Sequence, residues 1–136
     1  MQSNVFRKTL DEKNNPMTFD IRVRLLRETP FYGPGVSELM DLIERFGSVA
    51  GACEEMGMSY SKGRGIIRKM EKMLDFPIVQ RVQGGRGGGS AKLTPRGKEL
   101  LDAYIAYDED IKEYAKARFD EAFCSFTRNT NEEGCV

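Results

Sequence analysis

Three amphipathic stretches follow one another between Val36 and Leu74, separated at Gly47 and Gly57, and beyond Pro77 two short apolar runs are joined by GGRGGG. Segments this short are marginal as isolated helices, so they must cross one another around a shared core. Val36, Leu39, Met40, Leu42, Ile43 and Phe46 recur at helical spacing, and Gly47 supplies the stop. Ser48 is suited to cap a second helix, SVAGACEEM, ending at Gly57. Ser59 can cap a third helix to about Leu74, with Gly63, Ile66, Ile67, Met70, Met73 and Leu74 on its inward stripe. Pro77 blocks continuation, and PIVQRVQ and SAKLT read as the strands of a hairpin with a glycine tip.

Helix, short helix, tight turn, helix and hairpin is the order of a winged helix-turn-helix. The expected fold class is therefore mainly α with a small β component, with an N-terminal strand and a long C-terminal helix. The strand is expected in MTFDIRVRLLRET, where Phe19, Ile21, Val23 and Leu25 alternate with Asp20, Arg22 and Arg24. The last helix is expected to start at Thr94 and Pro95 and to run to roughly Phe123. Along it Leu100, Tyr104, Tyr107, Ile111 and Tyr114 follow steps of four and three, the spacing of a seam between two copies. The expected organisation is a flexible arm over 1–16, the winged domain over 17–94, a dimerisation helix over 95–124 and a flexible tail over 125–136.

The chain as a whole is neutral, with 21 Lys and Arg against 21 Asp and Glu, yet its charge is segregated. From Ser59 to Arg96 nine cations (Lys62, Arg64, Arg68, Lys69, Lys72, Arg81, Arg86, Lys92 and Arg96) face only Glu71 and Asp75, a local balance of +7. Such a patch displaces counterions from a phosphate backbone, while acidic flanks confine contact to one face. The candidate partner is double-stranded DNA, with contacts expected from Ser48, Ser59, Tyr60, Ser61, Lys62, Arg64, Arg68, Lys69, Arg81, Arg86 and Lys92. In this motif the third helix enters the major groove with its N-terminal residues at base edges. Arg64 suits a bidentate contact to guanine and Tyr60 and Ser61 suit base or phosphate, whereas Lys62, Arg68 and Lys69 neutralise phosphates and Arg86 reaches the minor groove. The plainer alternatives are a solvated charged helix face and a hairpin that touches nothing. Gly63 is expected where two helices cross closely. Gly65 faces outward, and either a close phosphate approach or a simple local weakness accounts for it.

Other classes fit poorly. There is no histidine, the commonest general base, so no catalytic residue is assigned. Cys53, Cys124 and Cys135 form no CxxC pair, and neither a metal nor a cofactor is expected. GGRGGGSAK lacks the lysine and hydroxyl spacing of a nucleotide-binding loop. No apolar run approaches membrane-spanning length, which points to a cytoplasmic protein without a membrane partner.

The run GSVAGACEEMGMSYSKGRGIIRKMEKMLDFPIVQRVQGGRGGGSAKLTPRGKELL, from Gly47 to Leu101, resembles the DNA-binding domain of ModE-type molybdate-responsive regulators and, more distantly, the LysR-type helix-turn-helix. The pieces that carry the likeness are the GS pair before the second helix, the GMSY turn, the GGRGGG wing and LTPRG at Leu93 to Gly97. The resemblance implies a winged-helix transcription regulator that dimerises through helices flanking the motif. It implies DNA contacts at Ser59, Tyr60, Ser61, Lys62, Arg64 and Arg86. Two departures stand out. The family commonly has a tryptophan where this chain has Arg64, so an operator sequence does not transfer. The family also carries C-terminal oxyanion-binding domains, and no molybdate site maps onto this chain residue by residue, so a stand-alone form is expected.

Together these readings predict a homodimeric, sequence-specific regulator of transcription, linked to molybdate or other metal-oxyanion genes and answering to an effector or partner that the sequence does not identify. The alternatives are a non-specific architectural DNA binder and a protein-interaction module built on the long helix.

Overall fold

The computed structural model describes residues 16–82 and 90–127. The expected contact at Arg86, most of the N-terminal arm and most of the C-terminal tail lie outside the described residues. The chain divides into two compact units, Arg22–Glu109 and a second made of Met1–Ile21 with Asp110–Val136.

In the first unit, local capping chemistry fixes where each helix begins and ends. Helix α1 (Pro34–Phe46) stops at Gly47, whose φ of 65° is the left-handed conformation that glycine tolerates without a Cβ clash. Helix α2 (Val49–Met56) starts where the Ser48 hydroxyl accepts the Gly51 N–H at 3.0 Å, and stops at Gly57, φ 70°. Helix α3 (Tyr60–Leu74) starts where the Ser59 hydroxyl accepts the Lys62 N–H at 3.1 Å. Its C-cap is Asp75 at φ 63°, a residue type that tolerates this region better than most.

The three helices close on one core. Leu39, Met40 and Ile43 of α1, Cys53 of α2, and Ile67 and Met70 of α3 are fully buried together with Tyr32 and Ile78. Gly63 lies where α2 and α3 cross, and a Cβ there would overlap the Cys53 sulfur. The crossing expected of Gly63 is present.

After α3, strands β3 (Val79–Arg81) and β4 (Ala91–Leu93) pair antiparallel, with Val79 opposite Leu93 and Arg81 opposite Ala91. This wing is tied to α1: the Ala91 N–H donates to the Gly47 carbonyl at 2.8 Å and the Leu93 N–H to Glu44 Oε1 at 2.7 Å. Helix α4 (Pro95–Thr127) opens where the Thr94 hydroxyl accepts the Gly97 N–H at 3.0 Å and donates to the Pro77 carbonyl at 2.7 Å. A Cβ on Gly97 would sit 2.5 Å from the Ile78 carbonyl oxygen, so the start of the helix packs directly on backbone.

Three expectations need correction. The N-terminal strand shrinks to β1 (Leu25–Leu26), which pairs with β2 (Pro30–Tyr32) with a register shift between its two residues. Residues 16–24 belong to no strand, yet their alternation survives as burial: Phe19, Ile21 and Val23 are half-buried, and Asp20, Arg22 and Arg24 are exposed. Period-two patterning reports two faces of a segment, and a ladder further needs a neighbour to pair with. The last helix is longer than expected, and Phe123, at φ −119° and ψ 16°, interrupts its helical geometry. Tyr104 leaves the proposed seam between copies altogether. It is 5% exposed, its hydroxyl donates to the Val23 carbonyl at 2.8 Å, and its ring lies 4.8 Å from that of Tyr32.

The second unit is held differently. Phe119 stacks between Phe19 and Phe123 with both centroid separations at 5.1 Å, while Tyr114 and Phe126 stand exposed. Among the described residues no helix is long and apolar enough to cross a membrane.

Candidate nucleic-acid interface

Helix α3 separates its residues by direction. Gly63, Ile67 and Met70 face the core, and the 3.6-residue repeat therefore sends Ser61, Gly65, Arg68 and Lys72 to the opposite side, where all four are exposed. Lys62 and Lys69 flank that strip on one side, both exposed, and the half-exposed Arg64 flanks it on the other.

The two acidic residues of the basic stretch are absorbed by the fold. Glu71 accepts the Ile78 N–H at 2.7 Å, with the Val79 N–H at 3.4 Å, and so anchors the chain where it leaves α3 for the wing. Asp75 forms the left-handed helix end. With the Glu71 carboxylate engaged and Asp75 at the far end of the helix, the cations outnumber the acids on the outward face, which gives it a positive surface.

Ser59 and Tyr60 sit at the exposed start of α3. The Ser59 oxygen is engaged as a cap acceptor, and its proton is left to donate outward. Ser48 is half-buried and caps α2 in the same manner. On the wing, Lys92 is exposed between the buried Ala91 and Leu93, and Arg81 is exposed at the end of β3. Arg96 is diverted: its guanidinium lies 4.8 Å over the Phe76 ring and 3.5 Å from Glu99.

Sequence reasoning missed Arg24. A groove of about 240 Å³ is lined by Arg24, Pro30, Phe31, Tyr32, Gly33, Val36, Ile66 and Lys69, so Arg24 comes beside a cation of α3 from far along the chain. The available signal was its exposed place in the alternating segment, without the neighbour that makes it useful.

Titration behaviour marks the core rather than this surface. Burial pushes the Tyr32 phenol up to about 12; the nearby Ser37 offsets part of the rise and Tyr104 adds to it. The Tyr32 hydroxyl reaches no partner within hydrogen-bond geometry. Burial also raises Tyr104, with Asp108 adding to the rise, and burial raises Cys53.

No protein-family model matches the chain. It is similar to the molybdenum-pterin-binding protein MopB of Rhodobacter capsulatus, 37% identical over 73 residues, covering 54% of this chain and 27% of that protein. It is similar to the DNA-binding transcriptional dual regulator ModE of Escherichia coli (strain K12), 32% identical over 79 residues, covering 58% and 30% respectively. The molybdenum transport protein ModE of Azotobacter vinelandii is 36% identical over 70 residues, covering 52% and 26%. The chain thus spans between about a quarter and a third of the length of these relatives. Among solved structures, the CbnR_DBD-DNA complex aligns with a TM-score of 0.48 at 16% identity, covering 62% of this chain and 92% of that one. The likeness to ModE-type regulators is borne out over a little more than half of the chain.

Proposed function

We propose that this chain binds duplex DNA as a ModE-like regulator of transcription in the cytoplasm, with α3 in the major groove and the wing against the minor groove. The observation that carries the reading is the outward face of α3, where Lys62, Arg68, Lys69 and Lys72 stand exposed while the Glu71 carboxylate is turned to the Ile78 N–H. Tyr60, Ser61 and Arg64 approach base edges; Ser59, Lys62, Arg68 and Lys69 meet phosphates; Arg24, Arg81 and Lys92 extend the contact along the backbone. Arg86, in the glycine-rich run GGRGGG, is part of the same proposal. The likeness to the molybdenum-related relatives supports target genes connected with molybdate or another metal oxyanion.

The regulator acts as a homodimer. Tyr107 and Tyr114 are 55% and 70% exposed on a helix where aromatic side chains of that size ordinarily find cover, and with Ile111 they form the seam for a second copy. Leu100, half-buried, contributes at its edge.

Selecting duplexes from a random pool with the purified protein, then sequencing them, tests the reading. Enrichment of inverted half-sites about one helical turn, roughly 34 Å, apart is the expected result. Salt-sensitive retention without enrichment would replace it with non-specific architectural binding, and no retention would overturn DNA binding itself.

A further inference from the structure

Two glycines lie two residues apart in α3, a setting in which glycine is disfavoured against alanine. The fold explains one of them. Gly63 is buried against α2, where a Cβ would overlap the Cys53 sulfur. Gly65 has no such reason: it is exposed, a Cβ built on it meets nothing within 4 Å, and its backbone is not in the left-handed region that would require glycine. The protein itself loses helix stability at Gly65 and gains no packing in return.

Its position indicates what occupies that space. Gly65 projects from α3 directly away from Gly63, Ile67 and Met70, and the residue one turn before it on the same line is the small Ser61. Arg64 rises on one side of this line, and Lys62 and Lys69 on the other. The outermost strip of the helix is thus small only over its first two turns, at Ser61 and Gly65, with Lys62, Arg64 and Lys69 along its edges and the cations Arg68 and Lys72 continuing it toward the C-terminus. A surface evolved only for charge neutralisation has no use for small residues there, because long cations reach phosphates whatever lies between them. A helix lying in a major groove does, since the depth it reaches is limited by the side chain pointing straight at the base edges.

We propose that Gly65 is a specificity-determining residue: its missing side chain lets the backbone of α3 lie against the major-groove edge of the duplex, which brings Ser61 and Arg64 within reach of bases. The inference rests on the DNA-binding reading above and deepens it. A Cβ at this position leaves the fold intact and stands the helix off from the bases, so that base contacts weaken while contacts through the long cations persist.

The test compares wild type, Gly65→Ala and Gly65→Leu for binding to the duplex that wild type enriches from the random pool and to a scrambled duplex of equal length. Thermal melting is followed in parallel. The expected result is a melting temperature for Gly65→Ala at or above that of wild type, with affinity for the enriched duplex reduced about tenfold, as for loss of one good base contact. Gly65→Leu loses more, and the scrambled duplex binds all three proteins alike. Variants that hold the enriched duplex within about twofold of wild type, or that lose both duplexes equally, overturn this inference and leave DNA binding standing. A wild-type protein that retains no duplex overturns both.

Discussion

Helices α3 and α4 are built from the same kinds of residue and leave opposite things uncovered. α3 buries Ile67 and Met70 and turns cations outward; α4 docks its first half through Leu101 and Tyr104, then carries Tyr107, Tyr114, Phe123 and Phe126 substantially exposed among acidic residues. A cationic surface whose one large exposed aromatic is Tyr60 is suited to a phosphate backbone, and an aromatic surface with no cationic excess is suited to protein. The contrast teaches that two partners are to be sought on two helices, and that disturbing one need not disturb the other.

The contrast breaks most severely at Gly63. Gly63→Val forces a side chain into the Cys53 sulfur and separates α2 from α3, at about 3 kcal/mol or more. Urea unfolding is expected to show that loss, and DNA binding is expected to fall with it because α3 loses its platform. A Gly63→Val protein with wild-type stability would mean that the helices do not cross as described.

The docked half of α4 can be examined through Tyr32, whose ring stacks on Tyr104. Its pKa in the folded protein, about 12, exceeds its ordinary value of 10.0, so the unfolded chain gives up this proton first as the medium becomes alkaline. Stability from this group is therefore intact below pH 10 and is lost between there and about pH 12, on the order of 2 kcal/mol across the window. Tyr32→Phe is expected to flatten that part of the alkaline decline, leaving the share that belongs to Tyr104. At neutral pH it is expected to hold or raise stability, because it removes a hydroxyl that is buried without a hydrogen-bond partner. Urea midpoints for both proteins at about pH 8 and about pH 11.5 make the comparison, and parallel declines would contradict it.

Much of this was legible along the chain, for a physical reason. Ser48, Ser59 and Thr94 cap the helices that follow them, and Gly47 and Gly57 end the helices that precede them, because each device works through hydrogen bonds and dihedrals within a few residues. The wing strands were legible too, once Pro77 and the glycine tip bracketed them. What escaped depended on distant partners. The alternating segment before Leu25 carries a strand's pattern without a strand's ladder. Heptad spacing aligned Tyr104 with Tyr107 correctly but could not tell that Tyr32 and Val23 would cover the first and not the second. Glu44 and Glu71 hold backbone amides of the wing and its approach, partners that lie far along the chain or across a turn and that no local pattern marks. For the candidate site, the exposed cations of α3 follow from charge and the order of the elements, whereas Arg24 comes beside Lys69 only through the fold.

A smaller effect sharpens the other side of the contrast. Tyr107→Ser combined with Tyr114→Ser removes exposed aromatic surface from α4 and is expected to weaken self-association by about tenfold, near 1.4 kcal/mol, with the melting of the unit Arg22–Glu109 little altered. Sedimentation equilibrium reads this directly, and unchanged association would remove these tyrosines from the interface.

The most direct test of the central claim, that α3 presents the DNA-binding face, is the salt dependence of duplex affinity for wild type, for Arg68→Ala combined with Lys69→Ala, and for Lys116→Ala on α4. Each phosphate contact adds about 0.9 to the steepness with which log affinity falls against log salt. The account predicts a slope shallower by about 1.8 for the α3 double variant and an unchanged slope for Lys116→Ala. Equal slopes for wild type and the α3 variant would contradict it, and a slope that flattens for Lys116→Ala instead would move the DNA contact to the other helix.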